Sequence, residues 1–148
     1  MSYYHSRTVE GDFTDVVAAT IAALADRGFG VLTDIDVAAT MKKKLGADMR
    51  PYRILGACNP EMAYKALQAE KRIGTMLPCN VLVFERDDGR IEVAAVDPVA
   101  SMQAIDNSNL AETAATVREG LRYAVDAVKA VGHVRNTPSN ISGSADLA

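Results

Sequence analysis

The chain has 148 residues, 49% of them apolar and 24% charged, with a formal net charge of −3. One domain of that length buries roughly 68–70% of the surface its unfolded chain exposes, and the composition is that of an ordinary globular protein. The small negative charge excludes a strong field for nucleic acid or an anionic membrane surface, and no run of about eighteen apolar residues is present to cross a bilayer. The N-terminal MSYYHSRTVEGD lacks the apolar segment of a secretory signal. No nucleic-acid or membrane partner is therefore expected, the location is read as cytoplasmic, and Cys58 and Cys79 are expected as reduced thiols.

In chain order, Tyr3–Val9 is β-rich and precedes a polar turn, which predicts a first strand. Asp12 with Asp15 three residues on predicts a helix N-terminus, where negative charge suits the helix dipole. Phe13, Val17, Ile21 and Leu24 follow at helical spacing until Gly28, giving a helix over Phe13–Arg27. Gly30–Asp34 reads as a second strand. Asp36 is the next expected cap, opening a short helix with Val37, Met41 and Leu45 on one stripe, ended by Gly46. Lys42, Lys43 and Lys44 fall in its last turn, where cations meet unpaired carbonyls; this favours a solvated helix end over a nucleic-acid patch.

Tyr52–Cys58 predicts a third strand. Asn59 then caps a helix that has Pro60 at its first position, where a missing N–H costs nothing, and that runs to about Glu70. Lys71–Pro78 reads as a loop and Asn80–Arg86 as a fourth strand. Its Val81, Leu82, Val83 and Phe84 are apolar on both faces, so it belongs in the middle of a sheet. Asp87-Asp88-Gly89 signals a hairpin to Ile91–Val96, and Asp97-Pro98 stops that strand. Asn109 with Glu112 resembles a capping box for a last helix, Leu110–Val131, striped by Leu110, Ala114, Val117, Leu121, Val125 and Val128. Residues 1–132 make one expected domain, and 133–148, small and aperiodic, an expected mobile tail. The order βαβ, a short α, then βαββα ends on a hairpin, which favours an α+β fold over a doubly wound one. It predicts one mainly antiparallel sheet of about five strands, with the two long helices packed on one face.

Tyr52-Arg53-Ile54-Leu55-Gly56-Ala57-Cys58-Asn59-Pro60, followed by Gly74-Thr75-Met76-Leu77-Pro78-Cys79-Asn80-Val81, resembles the core signature of the family called domain of unknown function 302. Asp36-Val37 upstream and Glu85, Gly89 and Asp97-Pro98 downstream fit the same pattern. The resemblance covers about Val31–Met102 well and implies a TATA-binding-protein-like α+β fold, a homodimer, and antiparallel third and fourth strands. It implies no activity. On that arrangement the Cys-Asn pairs 58–59 and 79–80 converge at one end of the sheet.

The chemistry of that end has two readings. Cys58 precedes a helix N-terminus, whose dipole and free N–H groups lower a thiol pKa. Two thiols, two amides and a helix N-terminus suit an anion, a soft metal or a sulfur species. On that reading the candidate ligand-binding residues are Cys58, Asn59, Pro60, Glu70, Pro78, Cys79 and Asn80; Glu70, near Cys79 in sequence, is the carboxylate to consider as a base, although an exposed residue at a helix end is the favoured reading of it. The other reading is structural: free cysteines are often buried small hydrophobes, and asparagines cap helices and bend loops. No metal site is expected, because there is no Cys-x-x-Cys and no histidine near either cysteine. No cofactor motif, phosphate loop or nucleophile elbow is present, and His5 and His133 sit in no motif. Whether the chain is an enzyme stays open. Three functions remain: a dimeric small-ligand-binding or accessory module, which is favoured; a thiol-dependent redox or sulfur-carrier protein using Cys58 or Cys79; and a structural interaction domain.

Overall fold

The computed structural model describes residues 2–129; the expected tail with His133, and the expected helix end beyond 129, lie outside them. Five strands, β1 (Tyr4–Val9), β2 (Gly30–Asp36), β3 (Tyr52–Cys58), β4 (Cys79–Glu85) and β5 (Ile91–Val96), form one sheet in the order β1-β5-β4-β3-β2. Every neighbouring pair is antiparallel. The strand that is apolar on both faces, β4, is central, as its sequence requires.

The long helices α1 (Phe13–Asp26) and α5 (Ser108–Ala127) pack on one face of this sheet. Side chains alternate along each strand, so Leu55 and Ala57 of β3, Cys79, Val81 and Val83 of β4, and Ile91, Val93 and Ala95 of β5 share that face. They are buried with Val16, Val17 and Leu24 of α1 and with Leu121, Ala124 and Val125 of α5. Burying one of the valine, leucine or isoleucine side chains among them contributes about 1.5–3 kcal/mol, so this layer supplies most of the driving force. The α1 stripe is turned slightly from the expected one: Val16 and Thr20 are buried, while Phe13 and Ile21 pack at its margins. Thr20 tolerates burial because its hydroxyl donates to the Val16 carbonyl at 2.8 Å.

Local signals account for most boundaries. The Asp12 carboxylate accepts from the Asp15 N–H at 3.1 Å and starts α1. Asp36 ends β2 and also caps α2 (Val37–Leu45), accepting from the Ala39 N–H at 2.9 Å. Gly28 and Gly46 leave their helices with φ of +84° and +69°, the left-handed region that glycine enters without a Cβ clash. Asn59 caps α3 (Pro60–Ala69) through the Met62 N–H at 3.2 Å.

The structure differs from expectation in several places. The expected loop after α3 is a 3₁₀ helix, Lys71–Met76, whose buried Ile73 anchors a second small core with Ala66 and Leu110. A short helix α4, Pro98–Ser101, follows β5, with Asp97 accepting from the N–H groups of Val99 and Ala100 at 2.9 and 3.2 Å. The last helix starts from Asn107, not Asn109: the Asn107 Oδ1 accepts from the Asn109 N–H, while its Nδ2 donates to the Ala69 carbonyl, both at 3.0 Å. That bond to α3 is tertiary, which is why sequence spacing pointed elsewhere. α5 stops at Ala127, where Val128 turns extended and its carbonyl accepts from Arg7 Nε at 2.6 Å. The apolar stripe of α2 is left largely open: Val37 is half-buried, no α2 residue is buried, and Leu45 is 75% exposed.

Candidate functional site

In the β3–β4 register Ala57 faces Cys79, so Cys58 stands one residue from the position opposite the second cysteine. Strand spacing of about 4.8 Å and a rise of about 3.4 Å per residue put the two Cα atoms roughly 6 Å apart. Cys58 and Cys79, both free, line one partly open cavity of about 40 Å³. It lies in the seam between the two cores: Phe29, Ala57 and Val117 come from the main core, and Ala66, Leu77, Met102 and Leu110 from the smaller one. The floor is the sheet end, and α3, α4 and α5 close the sides.

Each wall has a local cause. Pro60 at the first position of α3 turns the chain out of β3, so Asn59, Met62, Ala63 and Ala66 look across at α5. The opposite wall is the Leu110, Ala114, Val117 face of α5. Pro98 and Met102 are held by Asp97, which is 2% exposed and lies 3.3 Å from Arg118 and 3.5 Å from Arg122 of α5. The Asp97-Pro98 pair therefore does more than stop a strand; it pins α4 to α5 over the cavity.

Burial pushes the Cys79 thiol up to about 11, and the nearby Cys58 adds to the shift. A carboxylate or thiolate would be costly here, since a buried charge without a partner loses its hydration. The N-terminus of α3 is also poorly suited to an anion. The Asn59 side chain already takes the Met62 N–H, and Glu61 places a carboxylate in the first turn.

The cavity adjoins an open groove of about 420 Å³, with which it shares Phe29, Asn59, Met62 and Val117. Arg27, Glu112, Thr116 and Glu119 line that groove. The Arg27 guanidinium lies over the Tyr123 ring, 4.2 Å from its centroid.

Of the residues singled out from sequence, Cys58, Asn59 and Cys79 meet at the cavity. Asn80 does not: one position along β4 from a helix-facing cysteine, it points to the other sheet face and is exposed. Pro78 packs on Gly56, where a Cβ would come within 2.7 Å of its Cγ and collide with Thr33. Pro60 is exposed at the helix start, and Glu70 caps the 3₁₀ helix through the Arg72 N–H at 2.9 Å, away from the thiols. Neither Pro60 nor Glu70 lines the cavity. Phe29, Met62, Met102 and the α5 wall escaped sequence reading, because an apolar residue of a seam looks like any core residue. Among the described residues no three His, Cys, Asp or Glu side chains gather as a metal site needs.

The sheet face away from the helices carries a shallow groove of about 460 Å³ lined by Tyr4, Tyr52, Leu82, Phe84, Ala94 and Val96, among others. Tyr52 and Phe84, opposite each other in the ladder, stack with ring centroids 5.2 Å apart. Leu32 and Ile35 of β2 are 67% and 48% exposed. No described helix is long and apolar enough to cross a membrane.

Residues 5–128 match the family model described as "Domain of unknown function DUF302". A solved structure titled as that of an uncharacterized conserved protein DUF302 from Bacillus stearothermophilus is similar at 25% identity. It covers 87% of this chain and 100% of its own, with a TM-score of 0.81. No curated protein matches.

Proposed function

Since the chain belongs to the DUF302 family, whose description assigns no activity, we propose that it is a small-ligand-binding or accessory module, with its site at the cavity beside Cys58, Asn59 and Cys79. The carrying observation is that cavity: both cysteine segments line it, it is apolar, and it continues into an open groove. A packed core leaves few voids larger than a water, and about 40 Å³ is roughly three times what one water needs. An apolar void of that size beside an entry path suits the end of a small ligand better than it suits ordered water. The experiment is native mass spectrometry of freshly purified protein, with denatured protein as the reference. A retained mass adduct lost on denaturation is expected; bare protein, together with no thermal shift across a small-molecule panel, favours the structural alternative.

A thiol-dependent role has less support. The cysteine deeper in the cavity has its thiol pushed up to about 11, so its nucleophilic form is scarce at neutral pH. If the protein carries sulfur or redox chemistry, Cys58 is the residue that does it. The free thiols fit the reducing cytoplasm.

The proposed assembly is a homodimer through the helix-free sheet face. Support comes from the Tyr52–Phe84 stack, Leu82 and Val96 on that face, with exposed Ile35 at its edge. Apolar surface of this kind is uncommon on a monomer unless it binds something.

A further inference from the structure

We infer, resting on the reading of the cavity as a ligand site, that its occupant is a short-chain alkylammonium. Its apolar chain enters the seam past Met62 and its cationic end stays in the groove with Glu112 and Glu119.

The chain end follows from the cavity. Ala57, Ala63, Ala66 and Ala114 line it with methyl groups, and small side chains leave the space that larger ones would fill. Met62 and Met102 are the flexible members of the wall; an unbranched thioether with three rotatable bonds reshapes a gap at little cost. A straight alkyl chain lying between them gains the contacts that the empty seam lacks.

The charge follows from the mouth. Glu112 and Glu119 are seven residues apart on α5, hence on the same helix side, and both line the groove. Among the described residues neither has an ion-pair partner. The opposing cation, Arg27, is spread over the Tyr123 ring. Glu61 and the Asn59 cap disfavour an anion at the N-terminus of α3. The groove therefore ranks a cationic end above a neutral one and a neutral one above a carboxylate.

The test is isothermal titration of the full chain with n-butylamine, n-butanol and butyrate at pH 7, where the amine is protonated and the acid ionised. The amine is expected to bind about twofold to fivefold more tightly than butyrate, the range of an exposed charge preference. Replacing both acids (Glu112→Gln with Glu119→Gln) should bring that ratio close to one and leave butanol unchanged. Filling the cavity with Ala66→Leu, or with Ala63→Leu should the first not fold, should abolish binding of all three. Butyrate binding as well as the amine overturns the charge assignment and leaves the ligand site standing. So does failure of all three when native protein retains some other adduct. No binding and no retained adduct overturns both readings.

Discussion

The ring of Phe29 rests on Gly120, so closely that a Cβ on that glycine would come within 2.8 Å of Cε2. Phe29 is 3% exposed and borders both the cavity and the groove. The missing side chain at position 120 lets α5 approach the start of β2 and sets the width of the entry.

Gly120→Ala sets two effects against each other. Alanine in a helix interior gains about 0.5–1 kcal/mol over glycine, but overlap with a buried ring costs about 1–3 kcal/mol. The overlap wins, and urea denaturation should show a net loss of about 1 kcal/mol. Gly74→Ala, with nothing within 4 Å of the added carbon, is the control and should be neutral or slightly stabilising. Equal effects at both sites would remove the Phe29 contact as the cause.

The two thiols should react unequally. With Cys79 raised to about 11 and buried, iodoacetamide at pH 7.5 should add once per native chain, at Cys58, and reach Cys79 only on unfolding. Intact-mass time courses of Cys58→Ala and Cys79→Ala proteins check this. Fast labelling of the Cys58→Ala protein would contradict the burial described above.

The same shift predicts alkaline sensitivity. The Cys79 thiol titrates near 9 when unshifted and near 11 in the fold, so the native state binds the proton more tightly. Its contribution is complete below pH 9. Between pH 9 and 11 the unfolded chain loses the proton while the native one keeps it, and stability falls by about 3 kcal/mol in all. Cys79→Ala should flatten that part of the pH–stability profile, measured by denaturant midpoints. An unchanged slope in the variant would assign the alkaline loss to other groups.

Asp97 should be among the costliest single polar changes. It is almost fully buried, caps α4 and faces two arginines of α5. Asp97→Ala leaves both cap N–H groups and both guanidinium groups without that carboxylate, a loss of about 3–5 kcal/mol. Asp97→Asn keeps one acceptor and should lose less. Urea unfolding of the pair gives the ranking; an Asn variant as unstable as the Ala variant would mean that charge, not capping, dominates.

Light scattering tests the sheet-face dimer. The native chain should weigh twice the monomer at micromolar concentration, and Leu82→Lys should halve that mass without loss of helix signal. Leu82 points away from the helix layer, so a folded variant is expected. A monomeric native chain removes the proposal.

Strand and helix order was readable from residues alone. β3 and β5 have the expected ends, because Asn59-Pro60 and Asp97-Pro98 stop a ladder by local chemistry. The caps at Asp12, Asp36 and Asn59 likewise need only the next three residues. The central place of β4 was also indicated by its own pattern, apolar on both faces from Val81 to Phe84. Long-range contact decided the rest. The 3₁₀ helix is anchored by Ile73 in a second core that draws on α5, and the start of α5 is fixed by the bond from Asn107 to Ala69. No window of sequence contains both partners. The site was half legible for the same reason. Two cysteine motifs could be seen, but strand alternation turned Asn80 away from Cys79. Only packing of α3, α4 and α5 made a cavity from alanines and methionines that carry no signal of their own.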